Sequence, residues 1–258
     1  MQIIRFTENP AAAPRWGVLV GDTVHQLDGH WSDPQIGSAV AAVDDVELRS
    51  PCQPQMIVCA GANYRSQLTE LGLAAPSQPV LFLKGLNTIA GPHDVIRYPV
   101  GLNRLEYEGE LAVVIGRTAS HVKACDALAY VLGYTCANDV TASDFRGDGQ
   151  WTRAKSADTF CPMGPWIETD IADPQALGIT TQLNGHTVQQ CGTDDMVFGV
   201  AELIEWITRW ITLNPGDVIL TASPAGVGPM QVGDRVEVAI SGIGTLTNIV
   251  DSTDVAVA

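Results

Sequence analysis

The stretch of sequence that decides the fold reads Leu105-Glu106-Tyr107-Glu108-Gly109-Glu110-Leu111-Ala112-Val113-Val114-Ile115-Gly116. Its second half is apolar, rich in β-branched residues, and ends at a glycine, a pattern that predicts a strand with a buried end. If the strand also includes Tyr107, then Glu106, Glu108 and Glu110 share one face, because side chains alternate along a strand. The sequence therefore predicts three carboxylates in a row at the start of a buried strand.

These three carboxylates admit two interpretations. Their spacing would be roughly 6 to 7 Å from one to the next, from the rise of a strand. Carboxylates that lead into an apolar strand repel one another and resist desolvation unless a cation joins them. Oxygen ligands of this kind suit a hard ion, Mg²⁺ first, with Mn²⁺ or Ca²⁺ as alternatives. The same spacing also fits a polar strand face in water, and spacing alone does not separate the two.

Composition excludes several classes of partner. The chain has 258 residues, of which 46% are hydrophobic, enough for one large core and a small additional domain. The formal net charge of −15 argues against binding to nucleic acid or to an anionic membrane. No apolar run reaches the roughly 18 residues that cross a bilayer. The N-terminus begins directly with a strand-like pattern, so no secretory signal is expected.

The six cysteines and five histidines are scattered along the chain. They form no C-x-x-C pair and no paired histidine spacing, so a zinc site is not expected. Cysteines used in this way predict reduced, mostly buried thiols in a cytoplasmic protein. The sequence also lacks the glycine-rich loops of nucleotide-binding proteins and the G-x-S-x-G motif of serine hydrolases.

Turn signals divide the chain into two parts. Residues 1–50 contain short strand-like pieces separated by Pro, Gly and Asp turns, which predict a small N-terminal β-rich domain. Residues 51–258 are predicted to form the main domain. In that domain a short helix is expected over residues 64–71, because Gly72 follows as a C-terminal cap. An amphipathic helix is expected after residue 200, where apolar residues recur at helical spacing.

Three further segments place polar side chains at the ends of predicted elements. Residues 80–84 predict a strand that ends at Lys84. Residues 132–139 predict another strand, and its last residue, Asp139, can supply a further oxygen ligand. The segment from 140 to 155 is polar and contains glycines, so we expect a loop that ends at Lys155.

From about Met56 to Val250 the sequence contains a series of ordered blocks, namely Asn63-Tyr64 with Glu70, Phe82-Leu83-Lys84, Glu106–Leu111, Gly133-Tyr134-Thr135 with Asn138-Asp139, Gln150-Trp151 with Lys155, Gly164–Thr169, Asn184-Gly185 with Gln190, Leu213–Ile219, Ser223–Gly228 and Gly242-Ile243-Gly244. In these blocks the sequence resembles the fumarylacetoacetate hydrolase family. The similarity is greatest to short bacterial oxaloacetate decarboxylases and hydroxyheptadienedioate isomerase-like members. The resemblance implies an α+β fold, the mixed β-roll of this family with flanking helices, and a homodimer.

The resemblance also implies a site. Glu108, Glu110 and Asp139 would hold one Mg²⁺ or Mn²⁺, with Glu106 as a supporting acid. Lys155 would lie beside the metal, where it adds positive charge and can move a proton.

The matching blocks imply further contacts with a small oxo-acid or dicarbonyl substrate. Gln190 and Thr221 match positions that bind substrate in the family. Tyr64 and Lys84 lie in matching blocks as well, and we expect both to contribute to substrate binding.

Two positions depart from the family pattern. The family has a histidine three residues after the tyrosine of the Asn-Tyr block, and this chain has Gln67 there, although the partner Glu70 remains. Glutamine cannot take up a proton near neutral pH, so the water-activating pair is incomplete. The family also has an arginine that binds a substrate carboxylate, and this chain has Ser143 in its place. Arg146 and Arg153 are the nearby cations that can compensate.

These features predict a metal-dependent enzyme acting on small 2-oxo acids or β-dicarbonyl compounds. A cation that chelates a 2-oxo acid stabilises charge on the ketone oxygen, so the next bond can break or shift through an enolate. Lys155, Glu70 and Gln67 are the expected catalytic residues. Lyase or decarboxylase chemistry is expected first, with keto–enol isomerisation and acylpyruvate hydrolysis as alternatives. A metal-binding paralogue without turnover is a further alternative.

Overall fold

A computed structural model describes residues 1–9 and 12–252 of the chain. Its α-helices are α1 (Arg65–Leu71), α2 (Ala124–Ala127), α3 (Trp151–Lys155) and α4 (Val200–Thr208). Short 3₁₀ helices lie at Val43–Asp45, Leu86–Thr88, Leu128–Tyr130, Ser143–Asp148 and Thr193–Asp195.

Strands make up most of the regular structure. The strands of the first half are β1 (Gln2–Thr7), β2 (Arg15–Val20), β3 (Thr23–His30), β4 (Asp33–Ala42), β5 (Glu47–Arg49), β6 (Ile57–Gly61), β7 (Val80–Lys84), β8 (Ile89–Ala90), β9 (Val95–Tyr98), β10 (Leu105–Tyr107) and β11 (Gly109–Ile115). The strands of the second half are β12 (Val131–Asn138), β13 (Thr141–Ala142), β14 (Cys161–Glu168), β15 (Gly178–Leu183), β16 (His186–Gly192), β17 (Val218–Leu220), β18 (Gly228–Met230), β19 (Arg235–Ile240) and β20 (Gly244–Ser252).

The strands form three sheets within the described part of the chain. The large sheet has the order β4-β3-β2-β1-β14-β12-β11-β17-β6-β7, with β5 added to β1 and β8 added to β14. A second sheet has the order β16-β15-β19-β20-β9, and a small sheet has the order β13-β10-β18. This strand-rich α+β architecture agrees with the predicted fold class.

The central strand β11 is buried on both of its faces. Leu111, Val113 and Ile115 pack in one core cluster, which includes the apolar face of α4 and side chains of β19 and β20. Ala112 and Val114 point the other way, into a second cluster that includes residues of β1, β6 and β14. Because Glu110 shares the face of Ala112, its carboxylate is carried into the protein at the end of the second cluster.

The N-terminal strands continue the large sheet, since β1 pairs with β14 through Gln2 opposite Glu168 and Ile3 opposite Ile167. The division into domains 1–50 and 51–258 therefore stays a prediction, because hydrogen bonds of one sheet join the two parts. None of the helices in residues 1–9 and 12–252 is long and apolar enough to cross a membrane. All six cysteines are free thiols, and most of them are buried, as predicted.

The structure confirms several predicted elements and corrects two. The helix expected over 64–71 is α1, and its cap Gly72 has a φ of 65°, the left-handed region that glycine adopts without strain. The stretch 105–116 is not one strand, because Glu108 separates β10 from β11 and the two strands lie in different sheets. The segment 140–155 is not a plain loop, since it contains β13, the 3₁₀ turn Ser143–Asp148 and α3.

Candidate active site

Glu108 and Asp139 lie next to each other, because Glu108 directly precedes β11 and Asp139 directly follows the neighbouring strand β12. The two strands pair antiparallel, with Gly109 opposite Asn138. The Glu108 N–H donates to the side-chain oxygen of Asn138 at 2.9 Å. The Asp139 N–H donates to the Glu108 carbonyl at 2.8 Å. These backbone bonds fix the two acidic residues side by side at one end of the large sheet.

Three carboxylates converge at this point. One oxygen from each of Glu108, Glu110 and Asp139 lies within 4.8 Å of the others. Glu110 and Asp139 are each 1% exposed, so the interpretation of a solvated strand face is wrong. The Oε2 atom of Glu110 accepts a hydrogen bond from the Ala222 N–H at 2.8 Å. Its Oε1 atom is buried and has no hydrogen-bond partner among the described residues.

The donor set fits a hard divalent cation. Three carboxylates in one buried cluster provide oxygen ligands of the type that Mg²⁺ and Mn²⁺ prefer. Burial and the neighbouring charges of Asp139 and Glu108 raise the pKa of Glu110 well above its usual value. A carboxyl group in that state, with one unpartnered oxygen, has a strong electrostatic reason to accept a cation. Glu108, Glu110 and Asp139 are therefore the residues that would hold the metal.

Two lysines contact the same carboxylate. Lys84 Nζ donates to Asp139 Oδ1 and, at 3.2 Å, to the carbonyl of Val140. Lys155 Nζ lies 2.6 Å from Asp139 Oδ2 and 3.0 Å from Glu108 Oε1. Although burial opposes its ionisation, Asp139 has a lowered pKa because both ammonium groups are so close. Asp139 is therefore the ionised centre of the cluster.

The two lysines differ in access to the cavity beside the cluster. The Lys84 side chain is 0% exposed and lies behind Asp139, away from the cavity lining. A role of Lys84 in direct substrate contact, which the sequence suggests, is not supported by this placement. The Lys155 side chain is 7% exposed and lines the cavity. Burial lowers the pKa of Lys155, but Asp139 and Glu108 outweigh it and the net shift is upward, so the ammonium form persists.

Glu106 is not part of the three-carboxylate cluster. It lies on β10, opposite Thr141 of β13 and Pro229 of β18. Its carboxylate forms ion pairs with Arg104 Nε at 2.6 Å and with Arg146 Nη2 at 2.8 Å. The Arg146 Nη2 atom also lies 2.7 Å from Glu108 Oε1. Glu106 is thus linked to Glu108 through Arg146, and its own carboxylate is not among those that would hold the metal.

A cavity of about 430 Å³ opens in front of the cluster. Its lining includes Glu108, Asp139 and Lys155, together with Gln67 and Glu70 of α1. Gln67 and Glu70 are three residues apart and face the cavity together, as expected for neighbours on one side of a helix. Glu70 Oε2 accepts a hydrogen bond from the Gly226 N–H at 3.1 Å, which ties α1 to the loop after β17. Apolar side chains complete the cavity, namely Leu71, Leu73, Phe82, Trp151 and Val227.

The structure places Gln190 outside this group and puts its neighbour Gln189 inside. Gln190 is exposed, whereas Gln189 is buried and its Oε1 atom accepts the Gly109 N–H at 3.0 Å. Successive residues of β16 point to opposite faces, so a shift of one residue exchanges surface and interior. A side chain at Gly109 would collide with Thr181, since a Cβ atom there would be 2.1 Å from its hydroxyl. This close approach explains the glycine between the two acidic residues.

Thr221 and Tyr64 lie beside the cavity but not on its lining. The Thr221 hydroxyl donates to the Leu111 carbonyl at 2.9 Å and so fixes the start of the loop that carries Ala222. Tyr64 is fully buried before α1, and burial together with the charge of Glu110 raises its pKa well above the usual value. Both residues support the walls of the site, and direct contact with substrate stays a prediction for them.

The two arginines named as substitutes for the missing family arginine have different surroundings. Arg146 lines the cavity and contacts Glu106 and Glu108. Arg153 pairs with Asp148 at 2.9 Å and stacks over Phe145, with 4.3 Å between its guanidinium carbon and the ring centre. Ser143 begins the 3₁₀ turn, and its N–H donates to the Arg104 carbonyl. Of the two cations, Arg146 is the one that the fold brings to the site.

Sequence reasoning missed Arg104, Gln189 and the Ala222 N–H. The first two were detectable in part, because Arg104 directly precedes the acidic strand and Gln189 alternates with Gln190. The Ala222 N–H carries no signal in the sequence, since backbone groups are the same at every residue. Its φ of 72°, uncommon for alanine, marks the bend that directs this group at Glu110.

The chain is similar in sequence to known proteins over both of its parts. Residues 56–251 match the family described as Fumarylacetoacetate (FAA) hydrolase C-terminal, and residues 1–51 match the one described as Rv2993c-like, N-terminal. Protein Rv2993c of Mycobacterium tuberculosis is 49% identical over 207 residues, covering 79% of this chain and 78% of the relative. The mitochondrial oxaloacetate tautomerase fahd2 of Xenopus laevis is 34% identical over 285 residues, covering 96% and 89% of the two chains.

A solved structure extends the similarity to the whole fold. The 2-hydroxyhepta-2,4-diene-1,7-dioate isomerase of Mycobacterium marinum superposes with a TM-score of 0.90 and 41% identity, over 98% of this chain and 99% of the other. The α+β fold class predicted from the resemblance is thereby confirmed. Taken with the match over residues 56–251, these findings establish that the chain belongs to the fumarylacetoacetate hydrolase family.

Proposed function

We propose that this protein is a divalent-metal enzyme that interconverts the keto and enol forms of a small 2-oxo acid, with oxaloacetate as the first substrate to test. Relatives named as an oxaloacetate tautomerase and as an isomerase of an unsaturated dicarboxylic acid support this reaction class. We place isomerisation ahead of decarboxylation, although the sequence alone favours decarboxylation.

The observation that carries the proposal is the position of Lys155. Its ammonium group bridges Asp139 and Glu108 and also lines the cavity. Because it stays protonated, it can donate a hydrogen bond to a substrate oxygen on which negative charge develops. A keto–enol conversion also needs a base that removes a proton from carbon, and Glu70 is a carboxylate on another part of the same cavity wall.

The acidic cluster would hold the metal, with Mg²⁺ as the ion we propose and Mn²⁺ as the alternative. When bound, such an ion acts as a Lewis acid that stabilises negative charge on the oxygen of a chelated ketone. The contribution of the protein is positional. Lys84 and the Asn138 side chain hold Asp139 and Glu108 in place, and the Ala222 N–H holds Glu110.

Hydrolysis is disfavoured by the residues that line the cavity. Gln67 occupies the position where a water-activating histidine would stand, and a side-chain amide cannot take a proton from water. No histidine is among the described residues that line the cavity. Gln67 can instead orient a substrate oxygen or a water molecule by hydrogen bonding.

Decarboxylation is the second candidate, and one observation favours it. Part of the cavity wall is apolar, formed by Leu71, Leu73, Phe82 and Trp151. A carboxylate held against such a wall loses its hydration, which favours departure of neutral CO₂. This reaction needs no base, so it would depend on Lys155 and much less on Glu70.

We also propose that the protein is a homodimer. The edge strand β7 carries the exposed apolar residues Val80 and Leu83, and Leu86 is exposed directly after it. Exposed apolar residues grouped in this way are typical of protein–protein contacts. Light scattering coupled to size-exclusion chromatography measures the mass directly, and a monomeric mass at micromolar concentration would contradict the proposal.

The experiment that tests the reaction follows oxaloacetate by ultraviolet absorbance of the enol and by CO₂ release, with and without Mg²⁺. Loss of enol absorbance without CO₂ indicates a tautomerase. Release of CO₂ at a comparable rate supports the second candidate instead. If neither signal exceeds the metal-only background for oxaloacetate and for a panel of other 2-oxo acids, the protein does not turn over this class of substrate and the proposal is wrong.

A further inference from the structure

Tyr107 is a buried tyrosine between Glu106 and Glu108 that does not line the cavity. It is 4% exposed, and its ring packs in an apolar cluster with side chains of β18 and β19. Its hydroxyl group donates a hydrogen bond to the carbonyl of Gly226 at 2.9 Å. Tyr107 therefore connects β10 to the loop of residues 221–227, which follows β17.

Two glycines fit this loop closely around the tyrosine hydroxyl. Gly228 pairs with Tyr107 across β10 and β18, and a Cβ atom at Gly228 would be only 2.5 Å from the hydroxyl oxygen. Gly226 has a φ of 93°, in the left-handed region that glycine adopts without strain. A Cβ atom at Gly226 would also collide with the carbonyl of Val188. The backbone of Gly226 is thus enclosed between Tyr107 and β16.

The same glycine holds the carboxylate of Glu70. The Gly226 N–H donates to Glu70 Oε2 at 3.1 Å. Glu70 is an exposed side chain on a helix of seven residues, and a long exposed side chain samples several rotamers unless a partner selects one. Among the described residues no donor contacts the other oxygen of Glu70, Oε1, so that oxygen is available to take up a proton.

From these contacts we propose that Tyr107 is a positioning residue for Glu70. Its hydroxyl holds the carbonyl of Gly226, and the N–H of that glycine then meets the Glu70 carboxylate at one fixed place. The inference rests on the proposed function for the role of Glu70 as the base. Through Tyr107, the position of the base is coupled to the segment that also carries Glu108, one of the acids that would hold the metal.

The alternative is that the Tyr107 hydroxyl only satisfies its own hydrogen-bonding capacity while other contacts place the loop. Two such contacts exist, because the Ala225 N–H donates to Ser66 Oγ at 3.4 Å and Gln189 Nε2 donates to the Pro224 carbonyl at 3.0 Å. The two roles differ in how they depend on Glu70. A structural hydroxyl acts whether or not the base is present, whereas a positioning hydroxyl acts through the base.

The test is a double-mutant cycle on the enol–keto conversion of oxaloacetate. Tyr107→Phe keeps the ring in its cluster and removes only the hydroxyl, and it should lower kcat by about 5- to 10-fold, within the range for loss of one hydrogen bond. KM should stay within about two-fold. In the Glu70→Gln background, Tyr107→Phe should change kcat by less than about two-fold, because the group it positions is no longer a base. Equal losses of kcat in both backgrounds would overturn the proposal.

Tyr98→Phe is the matched control. Tyr98 packs against the same apolar cluster, and its hydroxyl makes no hydrogen bond within the part of the chain that the structure describes, so kcat should be unchanged. The affinity for Mn²⁺ should also stay within about two-fold in Tyr107→Phe, since the carboxylates of the cluster are untouched. A loss of Mn²⁺ affinity that accounts for the fall in kcat would mean that Tyr107 acts on Glu108 instead, which contradicts the proposal.

Hydrogen exchange separates this inference from the proposed function, because it needs no turnover. In the presence of Mg²⁺, segment 222–228 should exchange faster in Tyr107→Phe and in Glu70→Ala than in the wild type and Tyr98→Phe. Faster exchange in both variants of a protein that does not convert oxaloacetate would support the contacts and contradict the tautomerase. Conversion of oxaloacetate with unchanged exchange and unchanged kcat in Tyr107→Phe would support the tautomerase and overturn the positioning role.

Discussion

The floor and the rim of the cavity are built in opposite ways. The floor consists of Glu108, Glu110, Asp139 and Lys155, with Lys84 beneath them, and all of these side chains are buried and bonded to one another or to backbone. The rim consists of α1 and the segment 143–148, which carries Arg146. Apart from the buried Leu68, its side chains are partly or fully exposed.

The difference shows which part of the site can change. A buried charged network tolerates little substitution, because removal of one partner leaves an uncompensated charge. A half-exposed rim tolerates replacement, since water solvates whatever is left behind. Both departures from the family pattern, Gln67 and Ser143, lie on the rim. On the proposed function, the floor would set the class of chemistry and the rim would select the substrate.

The largest effect is expected from Glu110→Gln on the floor. Burial and its acidic neighbours raise the pKa of Glu110 and so favour its neutral form, which glutamine matches in shape. The fold should therefore persist while metal affinity falls by more than about 100-fold, beyond the range seen when only a residue behind a ligand is changed. Titration with Mn²⁺ measures the affinity and thermal unfolding measures the fold.

Glu8→Gln is the control, because Glu8 is exposed and its ion pair among the described residues is with Arg15. The wild-type protein should also release protons when it binds metal, and its affinity should fall as pH is lowered, because the metal competes with the proton on Glu110. Metal binding of unchanged strength in Glu110→Gln would remove Glu110 from the proposed ligand set.

Lys155→Met should have the next largest effect, on turnover. The ammonium group of Lys155 contacts Asp139 and Glu108 and faces the cavity, so its loss removes a proton donor from the reacting oxygen. We expect kcat to fall by about 10²- to 10⁴-fold, the range of general acid–base catalysis. Lys123→Met serves as control, since Lys123 is exposed on the far α2–α4 surface. Full turnover in Lys155→Met would assign the proton transfer to another residue.

Lys84→Met should reduce stability more than it reduces catalysis. Lys84 contacts the same Asp139 from beneath, without access to the cavity. Removing one partner of a buried ion pair costs about 3 to 5 kcal/mol of the free energy of unfolding. Urea denaturation measures this loss, and kcat of the folded fraction should fall less than in Lys155→Met. A wild-type unfolding midpoint would show that Lys84 contributes no such stabilisation.

The acidic residues of the floor could be predicted from the sequence, whereas the positions of the rim side chains could not. Of the acidic residues of the floor, Glu110 lies on β11, Glu108 directly precedes that strand and Asp139 directly follows β12, so all three adjoin strands that the sequence indicates. The predicted side-chain directions are wrong where the chain leaves regular structure, since the break at Glu108 places Glu106 in another sheet. Within β16 the side chain of Gln190 is exposed and that of Gln189 is buried, and contact of Gln190 with substrate stays a prediction.

The partners of Lys84 and Arg146 were the least predictable features. The position of Lys84 at the end of a strand does not indicate which carboxylate it contacts, because Asp139 is 55 residues away in the chain. Arg146 lies in a segment rich in turn-forming residues, where no periodic pattern of apolar residues indicates which way a side chain points. Contacts of this kind depend on tertiary packing, and from the sequence alone each of these residues has several possible partners.

The smallest effect is expected from Gln67→His, which tests whether the rim alone can add a reaction. Gln67 and Glu70 line the cavity from the same side of α1, so a histidine at 67 would have a carboxylate one turn away that can stabilise its protonated form. Such a pair can accept a proton from water, which glutamine cannot. General bases contribute about 10²- to 10⁴-fold, but an introduced base is rarely aligned as well as an evolved one, so we expect about a 10-fold rise in acylpyruvate hydrolysis. Metal affinity and oxaloacetate conversion should stay within about two-fold of wild type, because the ligands on the floor are untouched. The double variant Gln67→His with Glu70→Gln is the control, and it should lose the gain. If the unmodified protein already hydrolyses acylpyruvates rapidly, another group activates the water, and the division of roles between floor and rim is wrong.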